Sequence, residues 1–139
     1  MDIDFAFICD YADVTGKINA LGIGFDTIYA REVPVRPRTF YLVAQLRMSV
    51  AEAGSKDVEF HLIDADGADV IPPLRKKVEI PTPAGAFETK GRLAMAFNNI
   101  EFPRYGVYSL HLVIQGSEMV RIPLRVAQPP STPQNQSNS

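Results

Sequence analysis

Residues 102–127 constrain the fold more than any other stretch of the chain. They read as two strictly alternating runs that meet at Gln115-Gly116-Ser117. Tyr108, Leu110, Leu112 and Ile114 share a face of the first run, and Val120, Ile122, Leu124 and Val126 share a face of the second. Successive side chains of a strand point to opposite faces. A period of two held over both runs therefore predicts a hairpin with one buried and one wetter side. Pro123 lies inside the second run and lacks a backbone donor, which predicts an edge strand or a bulge there.

The same period recurs upstream. Phe40, Leu42, Ala44, Leu46 and Met48 alternate with Tyr41, Val43, Gln45 and Arg47. Val58, Phe60 and Leu62 alternate with Glu59 and His61, and Leu93, Met95 and Phe97 alternate with Arg92, Ala94 and Ala96. An opening strand over 2–9 places Ile3, Phe5, Phe7 and Cys9 on one face. A weaker strand covers 74–80, and Ile18 to Ala30 is extended but interrupted by Gly22 and Gly24, which mark a bulge, bend or close backbone approach. Turn residues punctuate these runs at Asp13–Lys17, Pro34, Pro37, Asp66-Gly67 and Pro81–Gly85. Only Val50–Ala53 and Ala84–Thr89 leave room for a helical turn. About eight strands at this spacing predict an all-β, antiparallel β-sandwich of seven to nine strands over residues 1–127. Residues 128–139 hold Pro, Ser, Thr, Gln, Asn and no charge, which predicts a disordered tail.

A chain of 139 residues with 46% hydrophobic and 22% charged residues can bury its own core. Its net charge of −2 argues against a nucleic-acid partner recognised through phosphates. The basic run Arg75-Lys76-Lys77 between Leu74 and Val78 reads as the solvated part of a strand. One cysteine permits no intramolecular disulfide. The acidic opening Met1-Asp2-Ile3-Asp4 does not match a secretory signal, and no apolar run approaches the roughly 20 residues of a membrane span. The expected compartment is the cytoplasm, with no membrane partner.

Two resemblances add to this reading. Gly106-Val107-Tyr108-Ser109-Leu110 resembles the Gly-x-Tyr-x-Cys of immunoglobulin F strands, with leucine in the cysteine position. The resemblance implies an immunoglobulin-like sandwich and a tyrosine hydroxyl that returns to backbone a few residues upstream. Cys9-Asp10-Tyr11-Ala12, Gly16-Lys17, Asn19, Gly22 and Gly24 resemble the opening of an uncharacterised bacterial family of similar length. That resemblance implies a bacterial origin and a shared role for Cys9–Gly24; turn chemistry alone accounts for each of those residue types.

Candidate chemistry is sparse. Cys9 shares a face with Phe5 and Phe7, so it reads as a buried, inert thiol. His61 and His111 lie on polar strand faces without zinc-ligand spacing. Gly22-x-Gly24 lacks the third glycine and the helix of a phosphate loop. Asp64, Asp66 and Asp69 place three carboxylates in six residues, a calcium candidate on a sandwich loop that lacks a bidentate ligand. No Ser/His/Asp order is recognisable, so no catalytic residue or cofactor is assigned.

The expected function is therefore a non-enzymatic intracellular interaction or scaffolding module. Tyr41, Val43, Val107, Val113 and Met119 lie opposite the predicted core face and form the expected interaction surface. Its partner would be another protein or a second copy of the chain. The alternative is a calcium- or small-ligand-binding sandwich using Asp64–Asp69. An enzyme would require Asp10, His61 and His111 to converge in one cleft.

Overall fold

The computed structural model describes residues 1–131. It contains ten strands: β1 (Asp2–Cys9), β2 (Tyr11–Val14), β3 (Ile18–Leu21), β4 (Thr27–Tyr29), β5 (Phe40–Ser49), β6 (Gly54–Ile63), β7 (Leu74–Ile80), β8 (Glu88–Phe97), β9 (Gly106–Ile114) and β10 (Ser117–Ala127). A single 3-10 turn, Val50–Glu52, occupies one of the two places open to a helical turn. The strand number exceeds the sequence expectation because residues 11–29 divide into three short strands. Residues 128–131 are exposed and carry no strand, and the expected disorder of 132–139 lies outside the described residues.

Two sheets, β1-β5-β8 and β4-β10-β9-β6-β7, enclose the main core, and β2-β3 forms a separate two-stranded unit. Only β4 runs parallel to its neighbour, β10. The core is the alternation made physical. Leu42, Ala44 and Leu46 of β5, Phe60 and Leu62 of β6, and Leu110 and Leu112 of β9 are fully buried. Phe40 stacks on Phe97 at 5.2 Å between centroids, and Phe102 meets Tyr108 edge-on at 5.0 Å, both favoured aromatic geometries. The β9–β10 turn has Gln115 and Gly116 at positive φ, the requirement of a two-residue hairpin loop that follows the strand twist.

Tyr108 Oη donates to Arg104 O at 2.6 Å and accepts from Arg104 N at 3.2 Å. This is the return contact that the Gly-x-Tyr resemblance implies. Pro123 sits where β10 has no partner on one side, because β4 pairs only with Arg125–Ala127. Its missing donor is tolerated at that local edge.

A bulge revises the reading of β1. The register with β5 shifts between Ile3 and Phe5. Ile3, Ala6 and Ile8 consequently pack on the main core, while Phe7 and Cys9 face the opposite side. An inserted residue inverts the alternation beyond it, so Ile3 does not share a face with Phe5, Phe7 and Cys9.

Candidate functional site

The side of the β1-β5-β8 sheet away from the core is not free. The β2–β3 hairpin folds back over it, and Ala12, Ile18 and Ala20 pack with Cys9, Val43, Tyr41 and Ala94 in a second, smaller core. The small residues Ala12 and Ala20 pair directly, which lets the hairpin lie close to the sheet. Gly22 ends β3 with φ +68° against the Asp10 side chain; any Cβ there would collide with the carboxylate. Asp10 N donates to Leu21 O and Gly24 N donates to Ile8 O, both at 2.9 Å, fixing the hairpin at its base.

This arrangement corrects part of the expected interaction surface. Val43 is fully buried and Tyr41 half-buried, because the chain supplies its own cover. Met119 also moves inward. A second bulge, between Glu118 and Val120, turns it against the main core. Val113 is half-buried, and only Val107, at 52% exposure, stands free.

Exposed apolar groups gather instead on the hairpin. Of eight exposed large hydrophobic side chains among the described residues, four (Tyr11, Val14, Leu21 and Ile23) belong to the hairpin and its exit turn, with Leu21 at 69% and Ile23 at 58%. The others, Phe5, Tyr29, Phe87 and Val107, are scattered over separate elements, Phe87 being the most exposed at 92%. Tyr11 is held by an edge-on contact with Tyr41 at 5.4 Å.

The outer face of the other sheet carries the polar chemistry. His61 and His111 are register partners on β6 and β9. His61 Nε2 meets Glu59 Oε1 at 2.9 Å, and Arg75 Nε donates to Glu59 Oε2 at 3.3 Å. These two contacts, the histidine first, hold the Glu59 carboxyl below its ordinary range. On the next strand pair His111 Nε2 lies 2.6 Å from Ser109 Oγ, and His111 Nδ1 lies 2.7 Å from Glu118 Oε1. Arg121, the register partner of His111, donates to the same carboxylate at 3.3 Å. His111 and then Arg121 keep Glu118 below the usual glutamate range, so it is an ionised acceptor. Ser109, His111 and Arg121 line a cleft of ≈ 670 Å³ with Ile63, Ala65, Val107 and Pro123.

Asp10 is not part of this cluster; it lies in the β1–β2 turn beside Gly22. The three loop carboxylates do not converge either. Asp64 Oδ1 accepts from the backbone of Asp66 and Ala68, both at 2.9 Å, and its Oδ2 pairs with Arg104 at 3.1 Å. Asp69 Oδ1 lies 3.6 Å from His61 Nδ1. Among the described residues no group of three or more His, Cys, Asp or Glu side chains is placed to hold a metal ion, so the calcium candidate loses its ligand set. Cys9 is buried, its Sγ 3.4 Å from Tyr11 O, and desolvation raises its thiol above the ordinary range.

Ser109 and Glu118 are the functional candidates that sequence reasoning missed. The signal was available. Ser109 and His111 are two apart on one strand, hence on one face, and a hairpin closed at Gln115-Gly116 carries Glu118 back beside them.

Two packed sheets with an accessory hairpin clamped to one outer face define the class: an all-β sandwich domain. The chain belongs to a family of unknown function (DUF6941), whose model matches residues 4–127. That span takes in the whole Cys9–Gly24 segment and ends with the last residue of β10. No curated protein matches the chain. Among the described residues no helix is long and apolar enough to cross a membrane.

Proposed function

We propose that the protein is a non-enzymatic interaction or scaffolding module of the cytoplasm, and that the β2–β3 hairpin and its exit turn dock a partner protein. The observation that carries this reading is the exposed cross-strand pair Tyr11 and Leu21 with Ile23 in the exit turn after it, on the hairpin face away from Ala12, Ile18 and Ala20. Clustered exposed apolar groups mark association sites, whereas scattered ones are ordinary. The hairpin is also anchored from beneath by Val43 and Cys9, so its outward side chains meet a partner with little ordering cost.

Strand order supports an immunoglobulin-like reading of the scaffold. The order β1-β5-β8 facing β10-β9-β6-β7 corresponds to an A-B-E sheet facing a G-F-C-C′ sheet, with Tyr108 on the F-equivalent strand. In that frame the β2–β3 hairpin is an addition between the first strand and its continuation β4.

The test uses the full chain with Leu21→Asp and Ile23→Asp combined. Wild type is expected to retain a stoichiometric partner from its native cytosol, and the variant to lose it at an unchanged melting temperature. Light scattering separates the second-copy case, in which the wild type is a dimer and the variant a monomer. A variant that keeps both its partner and its mass would overturn the hairpin assignment.

A further inference from the structure

The Ser109-His111-Glu118 series lies on the sheet face opposite the docking hairpin and has no part in the proposed docking. Its hydrogen bonds fix a proton order. Ionised Glu118 can only accept, so His111 Nδ1 must donate to it. In the neutral ring Nε2 is then an acceptor, and the Ser109 hydroxyl must donate to Nε2. A hydroxyl held on an imidazole that is held on a carboxylate is the arrangement that activates a serine nucleophile.

The surroundings suit an acyl group. Ile63, Ala65, Val107 and Pro123 give the cleft apolar walls large enough for a short chain, and its polar side carries Asp64 and Arg121, each held in an ion pair, with Arg104 and with Glu118.

We propose that Ser109 is a nucleophilic acyl acceptor for activated esters or thioesters, with His111 as its base and Glu118 as a positioning residue. Ser109 Oγ bonds to the carbonyl carbon while its proton passes to His111 Nε2. The bond from that carbon to the leaving oxygen or sulfur then breaks, and His111 returns the proton to the leaving group. The product is an ester on Ser109; no oxidant or reductant takes part.

An alkyl fluorophosphonate tests the nucleophile first, because the Oγ–P bond that forms as fluoride leaves is stable to mass mapping. Labelling is expected at Ser109, absent in Ser109→Ala and about 100-fold slower or more in His111→Asn. Glu118→Gln is expected to slow it about 10-fold and to move the pH profile of the rate to more acidic values, which loss of packing alone would not do. All three residues lie on the solvent side of the sheet, and melting temperature checks each variant. If His111→Asn does not fold, Ser109→Ala and Glu118→Gln carry the test.

With 4-nitrophenyl acetate the wild type is expected to release one equivalent of nitrophenolate and to carry an acetyl group on Ser109. Steady release that disappears in Ser109→Ala would keep the nucleophile and overturn the non-enzymatic reading instead. No phosphonate on Ser109, or a rate indifferent to His111, overturns the nucleophile. Phosphonylation with neither acetylation nor nitrophenolate release overturns the acyl assignment.

Discussion

Ile80 Cδ1 occupies the space that a Cβ on Gly91 would need. The contact joins β7 of one sheet to β8 of the other, and Ile80 is buried at 2% exposure. Gly91→Ala is expected to destabilise the fold by about 1–3 kcal/mol, the usual cost of overpacking a core. Ile80→Val removes the obstructing methyl and alone costs about 0.5–1.5 kcal/mol. The double variant should lose less than the sum, a coupling that urea denaturation of the four proteins would measure.

Val43 and the hairpin side chains should respond oppositely to charge. Val43→Asp places a carboxylate where no solvent reaches, and is expected to cost more than about 3 kcal/mol or prevent folding. Leu21→Asp, at 69% exposure, should stay within about 0.5 kcal/mol of wild type. Thermal melts of the two single variants check the contrast.

Tyr108→Phe tests the corner at the base of β9. It removes the donor to Arg104 O and the acceptor for Arg104 N. The loss of hydrogen bonds and the stranded backbone groups predict a cost of about 1–3 kcal/mol, with no change in the denaturant slope.

Acid should weaken the fold. Asp64 is held below its ordinary range first by the Ala68 amide, then by the Asp66 amide and Arg104; Asp4 is lowered by Gln45 and then Arg47. A carboxyl with a depressed folded-state pKa binds fewer protons folded than unfolded. Its contribution is complete above the unfolded value near 4 and lost as pH falls through the folded one. Urea midpoints are therefore expected to be flat above about pH 5 and to fall below it. Asp64→Asn should flatten part of that acid limb.

Cys9 offers a measure of hairpin opening. Its thiol is buried beneath β2 and raised by desolvation, so a disulfide reagent should modify it slowly in buffer and at once in denaturant. Alanine at Gly22, which meets Asp10 and strains a φ of +68°, should speed the native-state reaction well before global unfolding.

The main sheets were legible because Phe40–Met48, Val58–Leu62 and Tyr108–Ile114 keep their period without interruption. Burial follows that period in Val58–Leu62 and Tyr108–Ile114, while in β5 Val43 and Gln45 of the other face are buried as well. Two places broke it. At Asp4 and Met119 a single inserted residue inverts the faces beyond it, and nothing in the types of those residues announces the insertion. The covered face was misread for a different reason. Tyr41 and Val43 do read as an apolar surface awaiting a partner, but the partner is residues 11–21 of the same chain, and pairing of so short a hairpin with a distant face leaves no local trace. Ser109, His111 and Glu118 were within reach of hairpin geometry; an order of residue types searched along the chain does not reveal them.

Lys76 stands on β7, the outer strand of its sheet, and its Nζ donates to Ala94 O of β8, the outer strand of the other, at 3.4 Å. One flexible cation thus guards two open ladders, with Arg75 and Lys77 beside it keeping that border hydrated. Copies of the chain meeting along this border would have to displace the Lys76 ammonium before any strand could be added. Crowded solutions of the protein should therefore stay free of fibrils seeded from this side, and a neutral residue at position 76 would uncover both borders in one step.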